Sequence, residues 1–218
     1  VTKLPATRPD KNLSKWVEKS IKNAMKKIKT KQFYCLHVHN TKYLLNKNGS
    51  KIYKALVSAK NKGLIKKIGV SVYTTEELNR VLKKFKIDLV QLPFNIFDQR
   101  TIKLKTLEKL KSMGIEIHTR STFLQGLLTM KQKDIPSKFN KYKKYFNNWD
   151  KLSKKTKRSK VEICLRYALS NPFIDKVILG IDSSSQFKQL ISKSGYIKID
   201  ASSVDASKEI NLINPAKW

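Results

Sequence analysis

The chain holds three histidines, and two of them, His37 and His39, stand two residues apart in FYCLHVHN, residues 33–40, at the end of an apolar run. Imidazole changes charge near neutral pH and is the commonest nitrogen ligand for a metal. The pair therefore admits three readings: two metal ligands, a catalytic or orienting group with a neighbour, or two residues of a core. Ser71, Gln91, Arg120 and Asp182 fall in matching places, each following an apolar, strand-like run as His39 does. Lys3 stands in VTKLP, the strand tail that opens the chain, and a lysine there is costly to bury unless a function uses it. His37, His39, His118 and Asp182 together supply, on paper, the ligands of a metal-dependent hydrolase. Such sites usually draw on more imidazoles, and His118 lies two residues below its strand end. No metal ligand is assigned on this set. His37, one layer below His39 on the same strand face, and His118 are expected to be interior residues.

The elements that must position these residues alternate between strand and helix. Residues 10–29 carry Leu13, Trp16, Val17, Ile21, Met25 and Ile28 at three- and four-residue steps, which predicts a helix with Asp10 as its cap. Strands are expected in FYCLHVHN, residues 33–40, in KKIGVSVY, IDLVQLP and IEIHTR, and in DKVILG. Between them fall predicted helices at 50–62, with Ser50 as cap and Gly63 past the end, in TTEELNRVLKKF, with Thr74 and Glu77 as a capping box, and in TLEKLKSMG, closed by Gly114. Ser159 and Glu162 form a second box before another helix, SSSQFKQLISKSG reads as one more, and a last helix is expected over about 203–211. A long insert at about 129–158 carries Phe139, Tyr142, Tyr145, Phe146 and Trp149, which suggest a helix packed on the rim.

Strands alternating with amphipathic helices imply parallel pairing through right-handed crossovers. Both a doubly wound sheet and a (β/α)8 barrel fit. Five polar residues at the C-terminal ends of five strands favour the barrel, where those ends meet at one mouth. With VTKLP as the tail of a strand, six strands are counted where a closed barrel of this type has eight. The expectation is an incomplete α/β barrel of the TIM type, one domain over 1–218, with a C-terminal tail from about 194. About two βα units would be missing from its N-terminal side.

Composition removes other classes. The net charge is +31, but 41 of the 47 basic residues are lysine and 6 are arginine. Arginine is the residue that grips phosphates and guanines bidentately, so the excess reads as solvated helix faces, and no specific nucleic-acid partner is expected. No run reaches the length of a membrane span. Cys35 and Cys164 sit inside apolar segments and read as free thiols of a reducing compartment, the cytoplasm.

With these residues in view, the chain resembles the aldo-keto reductases, lacking their first two βα units. The pieces that carry the likeness, from residue 1 to about 193, are VTKLP, LHVHN, GLIKKIGVSVYTTEEL, DLVQLPFNIFDQR, RSTFLQGLL and VILGIDSSSQF, in the family's order. FDQR and RSTFLQGLL are similar to stretches in bacterial members associated with sugar pathways. The resemblance implies reduction of a small aldehyde or ketone with NADPH or NADH: hydride goes to the carbonyl carbon and a tyrosine hydroxyl protonates the oxygen. A lysine lowers that tyrosine's pKa, an aspartate pairs with the lysine, and a histidine orients the carbonyl. Lys3 falls on the lysine and His39 on the histidine. Ser71 and Gln91 match residues that hold the nicotinamide carboxamide, and Arg120 takes the place where many members stack a tyrosine. Ser121, Leu124 and Gly126 match the loop near the pyrophosphate. Gly180 and Gln186 match the loop and helix start near the adenosine phosphate.

The chain also departs from the family pattern. The aspartate and tyrosine would lie upstream of Val1, and Tyr34, near His39 in sequence, points to the other strand face by alternation. Val72 replaces an asparagine that commonly follows the serine. Asp182 stands in the 180–186 stretch where many relatives grip a 2′-phosphate with Arg or Lys, and Leu190 replaces an asparagine at the adenine. A second reading is thus a non-catalytic remnant barrel that binds nucleotide or a partner, and the 218-residue chain by itself is expected to reduce aldehydes slowly.

Overall fold

The structure, a computed structural model, describes residues 1–5 and 12–218. Asp10, the expected cap of the first helix, lies outside the described residues. In chain order the elements are β1 (Thr2–Lys3), α1 (Leu13–Ile28), β2 (Phe33–Val38), α2 (Lys42–Leu45), α3 (Gly49–Asn61), β3 (Ile65–Ser71), α4 (Thr75–Leu82), β4 (Leu89–Pro93), α5 (Arg100–Lys103), α6 (Thr106–Ser112), β5 (Glu116–Arg120), α7 (Lys143–Thr156), α8 (Lys160–Leu169), β6 (Lys176–Val177), α9 (Ser184–Ser192) and α10 (Ile210–Ile213). The strands form a six-stranded sheet whose order follows the chain, β1-β2-β3-β4-β5-β6. The described β1–β2, β2–β3, β3–β4 and β5–β6 pairings are parallel.

The described residues group into two compact units, Val1–Leu92 with Leu110–Ile117, and Pro93–Lys109 with His118–Trp218. In the first unit, α1 buries Leu13, Val17 and Ile21 and packs on α3, which buries Ile52, Leu56 and Ala59. β2 is buried at every position but Tyr34. The Tyr34 hydroxyl donates to Glu116 Oε2 (2.5 Å), which also pairs with Lys67. This ties the starts of β2, β3 and β5 together on their outer face. Asp88 joins two more elements, accepting from Lys60 Nζ at 2.6 Å and from the Ile68 amide at 2.8 Å.

The second unit has its own core. Phe97 packs among Tyr145, Phe146 and Trp149, with Leu124, Leu128, Val204 and Leu212 buried in the same cluster. The Trp149 indole N–H, a donor that needs a partner when buried, donates to the Leu128 carbonyl (2.8 Å).

Local capping signals resolve as expected at two helices. The Thr74 hydroxyl accepts from the Glu77 amide (3.1 Å) and the Ser159 hydroxyl from the Glu162 amide (3.3 Å). The Glu77 carboxylate bonds the Tyr73 amide (2.8 Å) and the Thr41 hydroxyl, so it ties α4 to the start of α2 as well.

Other boundaries differ. Ser50 lies inside α3, which starts at Gly49 after Asn48, and α2 comes so close there that a Cβ on Gly49 would fall 1.7 Å from the Leu44 carbonyl oxygen. Gly63 follows α3 with φ +70°, the left-handed stop expected of it. The DKVILG strand shrinks to the two residues of β6. The final helix resolves into a 3-10 turn at Ser202–Val204 and the four-residue α10. In the insert, Phe139 and Tyr142 belong to a 3-10 segment before α7, and α7 buries Phe146 and Trp149.

Candidate active site

The residues singled out from the sequence fall into two groups, one in each compact unit. In the first unit, parallel pairing of β1 with β2 sets Lys3 level with His37, and the Leu4 amide donates to the His37 carbonyl (2.9 Å). Lys3, the last residue of β1, is exposed. His37 is fully buried, whereas His39, two residues on and just past the end of β2, is exposed. Side chains two apart on a strand share a face, so one histidine belongs to the interior layer and the other to the strand end.

Gly69 makes that layer possible. It pairs with His37, and a Cβ there would lie 2.6 Å from His37 Nδ1 and 2.6 Å from Cys35 Sγ. Burial pushes the Cys35 thiol up to about 12, so it stays protonated and inert.

Ser71 ends β3 and pairs with Gln91 of β4, and the Val72 amide donates to the Gln91 carbonyl (2.9 Å). The paired residues put a hydroxyl and a carboxamide on the same face, at 2% and 4% exposure. Neither side chain has a hydrogen-bond partner among the described residues. Neither polar group is fully shut off from solvent, so both stay open to a ligand that supplies a donor and an acceptor. The β2–β3 ladder, which ends at Val38↔Val70, carries His39 toward the level of Ser71.

In the second unit, Arg120 closes β5, accepts from the Phe94 amide through its carbonyl (3.0 Å) and reaches the Ser121 hydroxyl with Nη1 (3.2 Å). The chain then coils tightly. Ser121, Leu124, Gln125 and Gly126 have φ of 65°, 47°, 55° and 84°. Left-handed backbone at a non-glycine residue costs roughly 1–2 kcal/mol, and the turn is held by its own ladder, Leu124 to Ser121 (2.9 Å) and Thr129 to Gly126 (2.9 Å). The Leu124 side chain is fully buried in the core, which leaves only its backbone to face a ligand.

The loop rests on a residue that sequence reasoning missed. Asn95, wholly buried, donates from Nδ2 to the Ser121 carbonyl (3.2 Å) and accepts the Phe97 and Asp98 amides (3.0 Å each). The available signal was a lone asparagine in the apolar stretch LPFNIF.

Gly180 is exposed, with open space where a Cβ would go. Gln186 sits in the first turn of α9. Its amide donates to the Ser183 hydroxyl (3.1 Å) and its side-chain oxygen accepts the Asp182 amide (2.7 Å), so the structure uses it to cap α9. Asp182 itself is exposed, five residues beyond β6.

Ser71 and Gln91 thus pair at two strand ends, Lys3 is level with the buried His37, and a tight left-handed loop follows β5. A model of the Aldo/keto reductase family matches residues 1–212, and the chain belongs to that family. It is 22% identical over 200 residues to the uncharacterized oxidoreductase YqkF of Bacillus subtilis (strain 168), covering 88% of this chain and 64% of that protein. The chain thus spans less than two thirds of that relative's length.

Among solved structures, it superposes on the aldo-keto reductase AKR11C1 from Bacillus halodurans in its holo form with a TM-score of 0.67 at 15% identity, over 94% of this chain and 71% of that one. The glycerol dehydrogenase AKR11B4 from Gluconobacter oxydans gives 0.66 at 17% identity, over 93% and 65%. The fold is therefore of the aldo-keto reductase barrel type, represented here by a parallel six-stranded sheet. No three His, Cys, Asp or Glu side chains group as metal ligands among the described residues, so the set considered for a hydrolase is not assembled. Among those residues, no helix is long and apolar enough to cross a membrane.

Proposed function

We propose that residues 1–218 act as one NAD(P)H-dependent carbonyl reductase domain on a small aldehyde or ketone. The observation that carries this is the Ser71–Gln91 pair, two buried polar side chains on one face with no protein partner among the described residues. A nicotinamide carboxamide offers the donor and acceptor that a hydroxyl and a carboxamide would take. Bound there, the nicotinamide would supply the hydride, and the proton for the carbonyl oxygen would be taken from solvent. Lys3 brings a positive charge to the carbonyl oxygen as negative charge develops on it, and His39 orients that oxygen by a hydrogen bond. For Arg120, the Ser121–Gly126 turn and the loop from Gly180 to Gln186, the family resemblance alone is the support: they would serve the ring and the phosphates.

Either NADPH or NADH satisfies this set. Because one solved relative is named a glycerol dehydrogenase, a three-carbon hydroxy-aldehyde is the first substrate to try, in keeping with the sugar-related reading of FDQR and RSTFLQGLL. Buried free thiols at Cys35 and Cys164 support a cytoplasmic setting, and the lysine-for-arginine bias supports the absence of a specific nucleic-acid partner.

The test is NADPH and NADH oxidation with glyceraldehyde, comparing the parent chain with Lys3→Met and His39→Ala. Whatever the absolute rate of the parent, each substitution should lower it, by up to ~10²–10⁴ if the group acts in proton transfer or its support. His37→Ala should lower stability and leave the rate per folded molecule close to the parent's. A rate indifferent to both Lys3 and His39 overturns the assignment, and dinucleotide binding without any turnover would favour the non-catalytic remnant.

A further inference from the structure

The insert between β5 and α8 carries a feature the reductase reading does not use. Over residues 131–144 it holds six lysines and one acid, Asp134. Lysines short of carboxylates settle over ring faces: Lys138 over Phe139 (5.2 Å) and Trp218 (5.6 Å), Lys141 over Tyr142 (5.0 Å) and Lys144 over Tyr145 (4.8 Å). Lys133 and Lys143 have neither a ring nor an ion-pair partner among the described residues, and both line a cleft of about 680 Å³. Ile135 lines it together with the narrow exposed edges of Phe139 and Phe146, and Asn140 adds a carboxamide. Gln132, also on the wall, spends its Nε2 on Asn147. The cleft's volume lies within the range of about 300–1,000 Å³ usual for a small-molecule site, and its lining offers both apolar and polar surface.

We propose that this cleft binds a small organic anion with an apolar body. The apolar part would lie on Ile135, Phe139 and Phe146, and the anionic group between Lys133 and Lys143. Charge selects the ligand class: the local balance of six cations to one acid repels organic cations, and the apolar walls favour a hydrocarbon body over a bare inorganic ion. The site lies wholly within the second unit and is independent of the carbonyl-reductase reading.

The probe is 1-anilino-8-naphthalenesulfonate, followed by its fluorescence, with N-phenyl-1-naphthylamine as the matching neutral body. The parent should bind one sulfonate probe per chain, saturably and more weakly as salt rises. Replacing one lysine by glutamine should weaken binding about two- to five-fold, and Lys133→Glu with Lys143→Glu should weaken it at least about ten-fold. The neutral probe should be indifferent to both lysines. Asn140→Trp, which fills the cleft without changing charge, should exclude both probes, and Lys86→Glu, in the other unit, should change nothing. Near-UV circular dichroism checks that each variant is folded.

Four results would overturn the proposal: undiminished binding of the sulfonate to the folded double-glutamate variant, undiminished binding to Asn140→Trp, unsaturable binding of many probes per chain, or displacement of the probe by excess NADPH.

Discussion

Gly69→Ala is the smallest change that probes how the first unit holds its strand ends. The new methyl group would be placed 2.6 Å from Cys35 Sγ, 2.6 Å from His37 Nδ1 and 2.8 Å from His37 Cε1, all well inside contact distance. Cys35 and His37 are both at 0% exposure, so neither can swing into solvent. Overpacking of this kind costs roughly 1–3 kcal/mol. The alanine recovers ~0.4–1 kcal/mol by restricting the unfolded chain, so a net loss of about 1–2 kcal/mol is expected. At ~2–4 °C per kcal/mol for a chain of this size, the melting temperature should fall by about 2–8 °C, with a matching drop in the urea midpoint. Ser71 is two residues along the same strand, so dinucleotide affinity should fall too. Removing the obstructing sulfur should relieve part of the clash: Gly69→Ala with Cys35→Ala should be more stable than the sum of the single changes, by a coupling of about 0.5 kcal/mol or more. A Gly69→Ala chain as stable as the parent, or a double variant that is merely additive, would refute the packing argument.

Four further outcomes follow from named contacts. Burial raises both thiols, Cys35 up to about 12 and Cys164 likewise upward. Unfolded cysteines ionise from about pH 8.5, so stability should be intact below that pH and decline as pH rises above it, and neither thiol should react with a disulfide reagent until the chain unfolds. Burial of Asp205 opposes its ionisation, but its bonds to Lys103 and Ser207 outweigh burial and hold the carboxyl below its ordinary value. That contribution should be complete above about pH 4 and be lost as pH falls through the lowered value, and Asp205→Asn should flatten the acid limb of a urea-midpoint profile. Thr74→Ala removes the cap on α4 and should destabilise the chain by about 1 kcal/mol in chemical denaturation. Asn95→Ala strips the Ser121 carbonyl and two amides of their partner and should destabilise the chain by at least about 1 kcal/mol, with a marked loss of dinucleotide affinity in calorimetry.

What could be read from the sequence was what is encoded locally. Thr74 with Glu77 and Ser159 with Glu162 announce helix starts within four residues, and the polar residues closing apolar runs marked the ends of β3 and β5 at Ser71 and Arg120. The Ser50 assignment failed because four-residue α2 has too little periodicity to be seen, so the close approach of Leu44 to Gly49 just before Ser50 was not legible. β6 ends the strand order, and its hydrogen-bonded ladder is far shorter than the apolar run VILG suggests. At the candidate site, the pairing of Ser71 with Gln91 depends on register, and periodicity alone does not encode register. The bonds of Asn95 depend on a turn that no local pattern announces. The Gln186 side chain lies three residues after Ser183, so its capping role was open to a local reading that the resemblance to a cofactor loop obscured.

Equilibrium titration of NADPH and NADH against intrinsic tryptophan fluorescence tests most directly whether the Ser71–Gln91 pair receives a nicotinamide carboxamide. The folded parent should bind at least one of the two saturably at one per chain. The Ser71→Ala, Gln91→Ala double variant, losing two hydrogen bonds of about 0.5–1.5 kcal/mol each, should bind it roughly 5- to 150-fold more weakly. A folded parent that binds neither dinucleotide, or a double variant that binds as tightly as the parent, would contradict the account.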